Sequence, residues 1–250
     1  MKKIQIKKDD EIFSRFEFKY IIKKSISKAI QNEVRNFTRE DTFVDKKSTY
    51  FVRSLYFDNN LFSNFNEKID GIKNRHKFRI RTYVDYKDLH TPLFLEMKGR
   101  NNERTYKIRT KIEKNDLNLF YKHKDLSDLK KKYLNNKLVE QYLFDSYRKK
   151  IVPKVLIDYT RLPLMSKNGL YFRLTFDSDI KACQSNSIFS NINNWKTCIP
   201  GNDILEVKFD LTIPPWFHRI IQSYELKRVS VSKFVLGMEA TNLAHDYEGI

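Results

Sequence analysis

Three acid–base pairs recur in this 250-residue chain at the spacing of one strand face: Glu17 with Lys19, Glu96 with Lys98, and Glu206 with Lys208. Residues at i and i+2 of a β-strand point to the same side, so each pair offers a carboxylate and an ammonium to one surface. Lys77, Arg79 and Arg81 share a face in the same way, as do Lys107, Arg109 and Lys111, and Arg173 shares one with Thr175 and Asp177. Arginine forks grip phosphate oxygens and lysines act as mobile point charges. These types at this spacing could therefore bind a highly charged phosphate chain. A plainer reading also accounts for them: opposite charges paired across strands on a solvated sheet face. The arginine excess speaks for the first, since arginine suits bidentate, ligand-bound roles. A barrel with these faces inward would have a basic lumen, and so many cations cannot pack together unless an anion fills the space.

Composition narrows the classes of function. Lys+Arg 48 against Asp+Glu 31 gives a net charge of +17, which suits a polyanionic partner. Hydrophobic residues at 40% and aromatics at 14% suffice for a core, so wholesale disorder is excluded. The glycines at 71, 99, 169, 201, 237 and 249 are too far apart for a GxGxxG turn or a Walker-type loop. Phosphates must then be held by side chains. Cys183 and Cys198 are too few for a disulfide framework or a zinc site, and the five histidines form no HExxH. The amino terminus lacks the apolar run of a secretory signal, and no 18-residue apolar window exists. The expectation is a cytoplasmic protein with reduced thiols.

Strands must position the charged residues. FSRFEFKYII (13–22) alternates strictly, and YFVRSLYF (50–57), residues 75–86, LFLEMK (93–98), ERTYKIRTKI (103–112), VPKVLIDYTR (152–161), LYFRLTFDSDI (170–180) and DILEVKFDL (203–211) follow as further strands. Residues 25–37 carry Ile26, Ala29, Ile30, Val34 and Phe37 at helical spacing. Residues 114–150 read as two short helices, 182–202 as a polar loop, and Pro214–Pro215 as the start of a helix reaching about Tyr224. No linker or repeat interrupts the chain, so 1–250 reads as one domain. Aromatics fall on the strand faces opposite the charges, which argues against a nucleic-acid partner.

RFEFKY (15–20), VRSLYFD (52–58), KFRIRTY (77–83), FLEMK (94–98), DYTR (158–161), FRLTFD (172–177), ILEVK (204–208) and SKF (232–234) occur in the order typical of the VTC domain. The chain resembles this polyphosphate polymerase domain, of the triphosphate tunnel or CYTH-like superfamily, over residues 10–240, as a bacterial stand-alone member. The resemblance implies an α+β fold: an antiparallel eight-stranded β-tunnel, closed as a barrel, with flanking helices.

The resemblance also implies roles. Lys19, Arg79, Arg81, Lys98, Arg161 and Arg173 are expected as catalytic contacts to phosphates. Lys107, Lys208, Ser232 and Lys233 are expected to bind phosphate, and Glu206 to hold Mn²⁺ or Mg²⁺. The implied reaction passes the ATP γ-phosphate to a growing polyphosphate chain. An inorganic triphosphatase using the same tunnel, or a binding module for polyphosphate, are the alternatives. The chain departs from the superfamily at Arg15, where a first glutamate is usual, and at Ser230, where a further lysine is expected. It shows no SPX-like regulatory segment and no membrane span, so any export of polymer is expected to need another protein. Replacing Arg79 or Arg81 by alanine is expected to abolish binding and leave the fold intact.

Overall fold

The computed structural model describes residues 16–41, 48–83, 91–102, 104–121, 126–167, 171–190 and 193–245. Arg15, the departure at the first motif, lies outside them. The strands are β1 (Phe16–Lys23), β2 (Thr38–Glu40), β3 (Tyr50–Asp58), β4 (Asn74–Thr82), β5 (Leu93–Asn101), β6 (Arg104–Ile112), β7 (Val152–Ser166), β8 (Phe172–Gln184), β9 (Lys196–Thr197) and β10 (Asn202–Phe209). Helices α1 (Lys24–Val34), α2 (Ser63–Ile69), α3 (Leu117–Tyr121), α4 (Leu126–Lys132), α5 (Lys137–Lys149), α6 (Pro215–Ser223) and α7 (Lys233–Ala240) flank them, with a 3₁₀ turn at Lys114–Asp116.

Eight strands form one antiparallel path in the order β1-β10-β8-β7-β3-β4-β5-β6, with β2 added to β7 and β9 to β8. That path matches the expectation, but closure into a barrel does not follow from the pairing. No ladder joins β1 to β6 among the described residues. Side chains bridge the seam instead: Lys98 donates to both Glu17 oxygens at 3.0 and 3.2 Å. The segment 226–232 also lies along β1, where the Val229 amide donates to the Lys19 carbonyl at 2.9 Å.

Two parts of the core lie outside the sheet, under α1, α3, α5 and α6, and a third, around α7, lies on the inner face. Leu55, Phe57, Phe78, Ile80 and Leu95 pack with Phe120, Leu138 and Tyr142 of α3 and α5. Phe172, Leu174, Phe176, Leu205 and Val207 pack with Ile30 and Val34 of α1 and Phe217 of α6. Val52, Val155, Ile157 and Ala182 receive Phe234 and Met238 of α7. Gly237 permits that last approach, because an added Cβ would lie 2.7 Å from Ile157 Cδ1. Where the first two clusters take the apolar side chains outward, alternation sends the charged ones inward, beside the α7 cluster.

Two stretches differ from the sequence reading. Among the described residues of 114–149, where two short helices were expected, there are the 3₁₀ turn and the helices α3, α4 and α5; the last is capped by Asn136, whose side chain accepts from the Leu138 and Val139 amides at 3.1 Å. The polar stretch 182–202 is not all loop: β8 continues to Gln184, and Lys196–Thr197 pairs with it.

Candidate functional site

The inner sheet face and the segment leading into α7 line a cavity of about 1150 Å³. All eleven residues singled out in the sequence line it: Lys19, Arg79, Arg81, Lys98, Lys107, Arg161, Arg173, Glu206, Lys208, Ser232 and Lys233. Among the described residues sixteen lysines and arginines line it against five carboxylates. Such an excess in one concavity concentrates anions.

The carboxylates gather where β1, β10 and β8 meet. Lys19 stands opposite Glu206, and Glu17 opposite Lys208, so the two acids sit on a diagonal of the same face. Lys233 reaches Glu206 at 2.9 Å, while Arg161 and Lys208 each approach it at 3.3 Å. Burial alone would raise the Glu206 carboxyl, yet Lys233, Lys208 and Arg161 hold it well below the usual 4.5. Asp177, fully buried, grips Arg161 through both oxygens at 2.5 and 2.6 Å and takes Lys233 at 2.5 Å. Lys233 opens α7, the end of a helix that disfavours cations. Burial there would discharge it, but Asp177 and Glu206 keep its ammonium above the ordinary range.

A second group sits on β4 and β5. Arg79 binds the fully buried Glu96 through Nε at 2.8 Å and Nη2 at 2.6 Å, and donates to the Tyr56 hydroxyl at 2.8 Å. Arg81 donates to Ser54 at 2.9 Å and to the Tyr159 hydroxyl at 3.2 Å. Glu96, Asp177 and the tyrosine hydroxyls thus fix the arginines from behind. Arg173 is held by Asp41 at 2.8 Å, and its buried Nε has no partner among the described residues. Lys98 and Lys107 are each pushed down to about 8, foremost by burial.

Sequence reasoning noticed Lys77 on the Arg79 face but gave it no role. It lines the cavity, donates to Ser232 Oγ at 3.0 Å and lies 4.7 Å from the Phe234 ring centroid. The signal was present: Lys77 precedes Arg79 by two. Lys68 of α2, missed because its contact is non-local, donates to Ser230 Oγ at 3.0 Å, so a lysine stands beside the serine where one was expected. Aromatic placement also differs from expectation. Phe94, Tyr56, Tyr83 and Tyr159 line the cavity among the charges, because Tyr56 and Tyr159 occupy inward positions of strands whose outer faces are apolar too. The argument against nucleic acid from segregated faces therefore falls.

The donor chemistry bears on a divalent ion. Among the described residues no three His, Cys, Asp or Glu side chains come together, so no all-protein cage exists there. Glu206 with Glu17 diagonal to it supplies one or two ionised carboxylates, the set that suits Mg²⁺ or Mn²⁺ completed by substrate phosphates and water. The residues fit a metal bound in that way.

An antiparallel sheet with helices outside and cations inside is the arrangement of the triphosphate tunnel, or CYTH-like, fold. The structure is similar to a Bacillus halodurans protein described as a candidate adenylate cyclase, with TM-score 0.52 and 11% identity over 88% of this chain and 95% of that one. It is similar also to an adenylyl-cyclase-type protein of Hippeastrum with a dominant triphosphatase activity, with TM-score 0.51 and 11% identity over 91% and 96%. No curated protein matches the sequence. The VTC domain matches residues 14–242, and the chain belongs to that family. No helix among the described residues is long and apolar enough to cross a membrane.

Proposed function

We propose that this protein is a metal-dependent phosphotransferase that passes the γ-phosphate of ATP to an inorganic polyphosphate chain held in the cationic cavity. The observation that carries it is the convergence of Lys19, Arg79, Arg81, Lys98, Lys107, Arg161, Arg173, Lys208 and Lys233 on one concavity, in a chain of the VTC domain family. Phosphoryl transfer asks little covalent work of a protein, so positioning and charge neutralisation carry the catalysis.

In this reading a terminal phosphate oxygen of the polyphosphate attacks the γ-phosphorus. The β–γ bridging bond breaks, and its electrons leave with ADP. The attacking oxygen is already anionic near neutrality, so the transfer asks for no strong general base. Arg79, Arg81 and Arg161 hold non-bridging oxygens in place, with Glu96 and Asp177 fixing the guanidinium planes. Arg173 turns its unpartnered Nε to an oxygen, and Lys19, Lys208 and Lys233 offset the charge that develops. Glu206, with Glu17 beside it, would hold Mn²⁺ or Mg²⁺, which supplies further neutralisation of the phosphate oxygens. In this reading the Glu17–Lys98 contact across the seam helps to enclose the chain.

A second reading places water where the polyphosphate oxygen attacks, making the protein a triphosphatase; the activity of the Hippeastrum neighbour favours it. Incubation of the purified protein with ATP and Mn²⁺, followed by separation of products by size, tests both. Polymer with ADP supports the transferase, and orthophosphate without polymer the triphosphatase. Absence of both products overturns the enzymatic reading.

A further inference from the structure

Strand register places three lysines directly abreast: Lys77 of β4 faces Lys98 of β5, which faces Lys107 of β6. One pleat further, roughly 7 Å along the strands, Arg75 faces Arg100. This second row approaches the sheet's end, where Asn74, Asn101 and Asn102 are exposed. Like charges directly opposite each other destabilise a sheet, and here two successive rows are built that way. The inner rows differ: Arg79 faces Glu96, and Lys19 faces Glu206. Lys98 has Glu17 at 3.0 Å and Lys107 has Glu96 at 3.6 Å, but Lys77 has no carboxylate partner among the described residues, only Ser232 Oγ. Burial and then Lys98, Lys19, Arg79 and Lys68 push the Lys77 ammonium well below its ordinary value. Burial and then Arg100 act in the same sense on Arg75. Along β4 and β5 the cavity is therefore divided into an inner part, where Arg79 faces Glu96, and an outer part, where cation faces cation. On β10 and β8, by contrast, Lys208 facing Arg173 is balanced by Glu17, Glu206 and Asp41.

We propose that Lys77, Arg75 and Arg100, continuing the row of Lys98 and Lys107, form an outer phosphate subsite that takes a linear inorganic polyphosphate beyond the three phosphates held inside. The subsite makes the protein prefer long chains to tripolyphosphate. It rests on the reading of the cavity as a phosphate-chain site, and deepens it. A flexible chain with a negative charge on every unit is the anion that satisfies two successive rows at once, whereas a triphosphate engaged at Arg161 and Arg79 leaves the outer row empty.

The test is calorimetric titration of the whole protein with tripolyphosphate and with linear polyphosphate of a defined length well above three, at one ionic strength. Removing one charge-assisted hydrogen bond to phosphate should weaken binding about tenfold or more. Arg75→Gln/Arg100→Gln should therefore weaken long-chain binding by at least that factor and leave tripolyphosphate binding unchanged. Removing the repulsion between the two arginines should also raise the melting temperature of the empty variant, which a damaged fold would not do. Lys77→Met is the second variant should the double change fail to fold. Parallel loss of both ligands, or unchanged long-chain affinity, overturns the subsite. Equal competition by heparin overturns its preference for phosphate chains. A wild-type protein that binds neither phosphate ligand instead overturns the reading of the cavity itself.

Discussion

Replacing Arg79 by alanine should do more than weaken phosphate binding. Arg79 is buried, and its Nε and Nη2 make the two shortest contacts to Glu96, at 2.8 and 2.6 Å. Without it, Glu96 keeps the Tyr83 hydroxyl at 3.4 Å, Lys107 at 3.6 Å and Arg81 at 3.8 Å. A fully buried carboxylate is then left with three weak partners. Removing one member of such a pair costs roughly 3–5 kcal/mol. For a protein of this size that corresponds to a drop of roughly 6–20 °C in melting temperature. This differs from the expectation from sequence that the variant would keep its fold without cost. The pH dependence provides an internal check. Burial would raise the Glu96 carboxyl, but Arg79, Arg81 and Lys107 hold it far below 4.5, so wild type keeps this stabilisation above that value and loses it only in strong acid. In the variant Glu96 takes up its proton more readily. The stability gap should narrow as pH falls below about 4.5. Arg79→Ala/Glu96→Gln should recover most of the loss at neutral pH, without recovering phosphate affinity. Thermal melts of the three proteins measure this. A single variant that melts within 2 °C of wild type, about the shift of 1 kcal/mol or less, would refute the reasoning.

Glu206→Gln should abolish Mn²⁺-dependent turnover yet keep or tighten phosphate binding, since one negative charge leaves a cationic cavity; full turnover in the variant would contradict the metal assignment. Its stability should fall by only about 1.5–3 kcal/mol, because Asp177 still pairs with Lys233 and Arg161. Lys98 and Lys107 are held at about 8 against an ordinary 10.5, mainly by burial. Between those values the unfolded chain binds more protons than the folded one, so the empty protein should gain stability as pH rises through the window. Tripolyphosphate affinity should fall over the same range, and calorimetry giving a flat profile from about pH 7 to 10 would count against both lysines as ligands. Gly99→Ala would put a Cβ 2.1 Å from Tyr106 Cζ, and the displaced ring should cost about 1–3 kcal/mol; an unchanged melt would show that the ring swings away freely.

The inward faces were legible wherever alternation was strict, as in Phe16 to Tyr20 and Lys77 to Arg81, because a strand's two-residue period needs no knowledge of its neighbours. The resemblance to the VTC domain then named the residues that line the cavity. What stayed hidden was non-local. That Glu96 backs Arg79, or that Asp177 backs Arg161, depends on register between strands, which one sequence does not display. Tyr56 and Tyr159 escaped notice because helices cover the outer faces of β3 and β7, so both faces carry apolar or aromatic groups and alternation fades. Arg53 and Asp158, paired at 2.7 Å under the segment around Ile188, look like surface charges in sequence and are buried on the outer side.

The account rests on one cavity whose cations are arranged for a phosphate chain rather than scattered over a surface. Melting temperature in tripolyphosphate, compared with sulfate at equal ionic strength, tests that most directly. A ligand that binds only the folded state adds about 2.7 kcal/mol at a hundred times its Kd, or roughly 5–11 °C here. Tripolyphosphate should reach that shift, and sulfate, which occupies one set of cations at a time, should fall well short of it. Equal shifts in the two salts would mean that the charges respond to ionic strength alone and would contradict the tunnel.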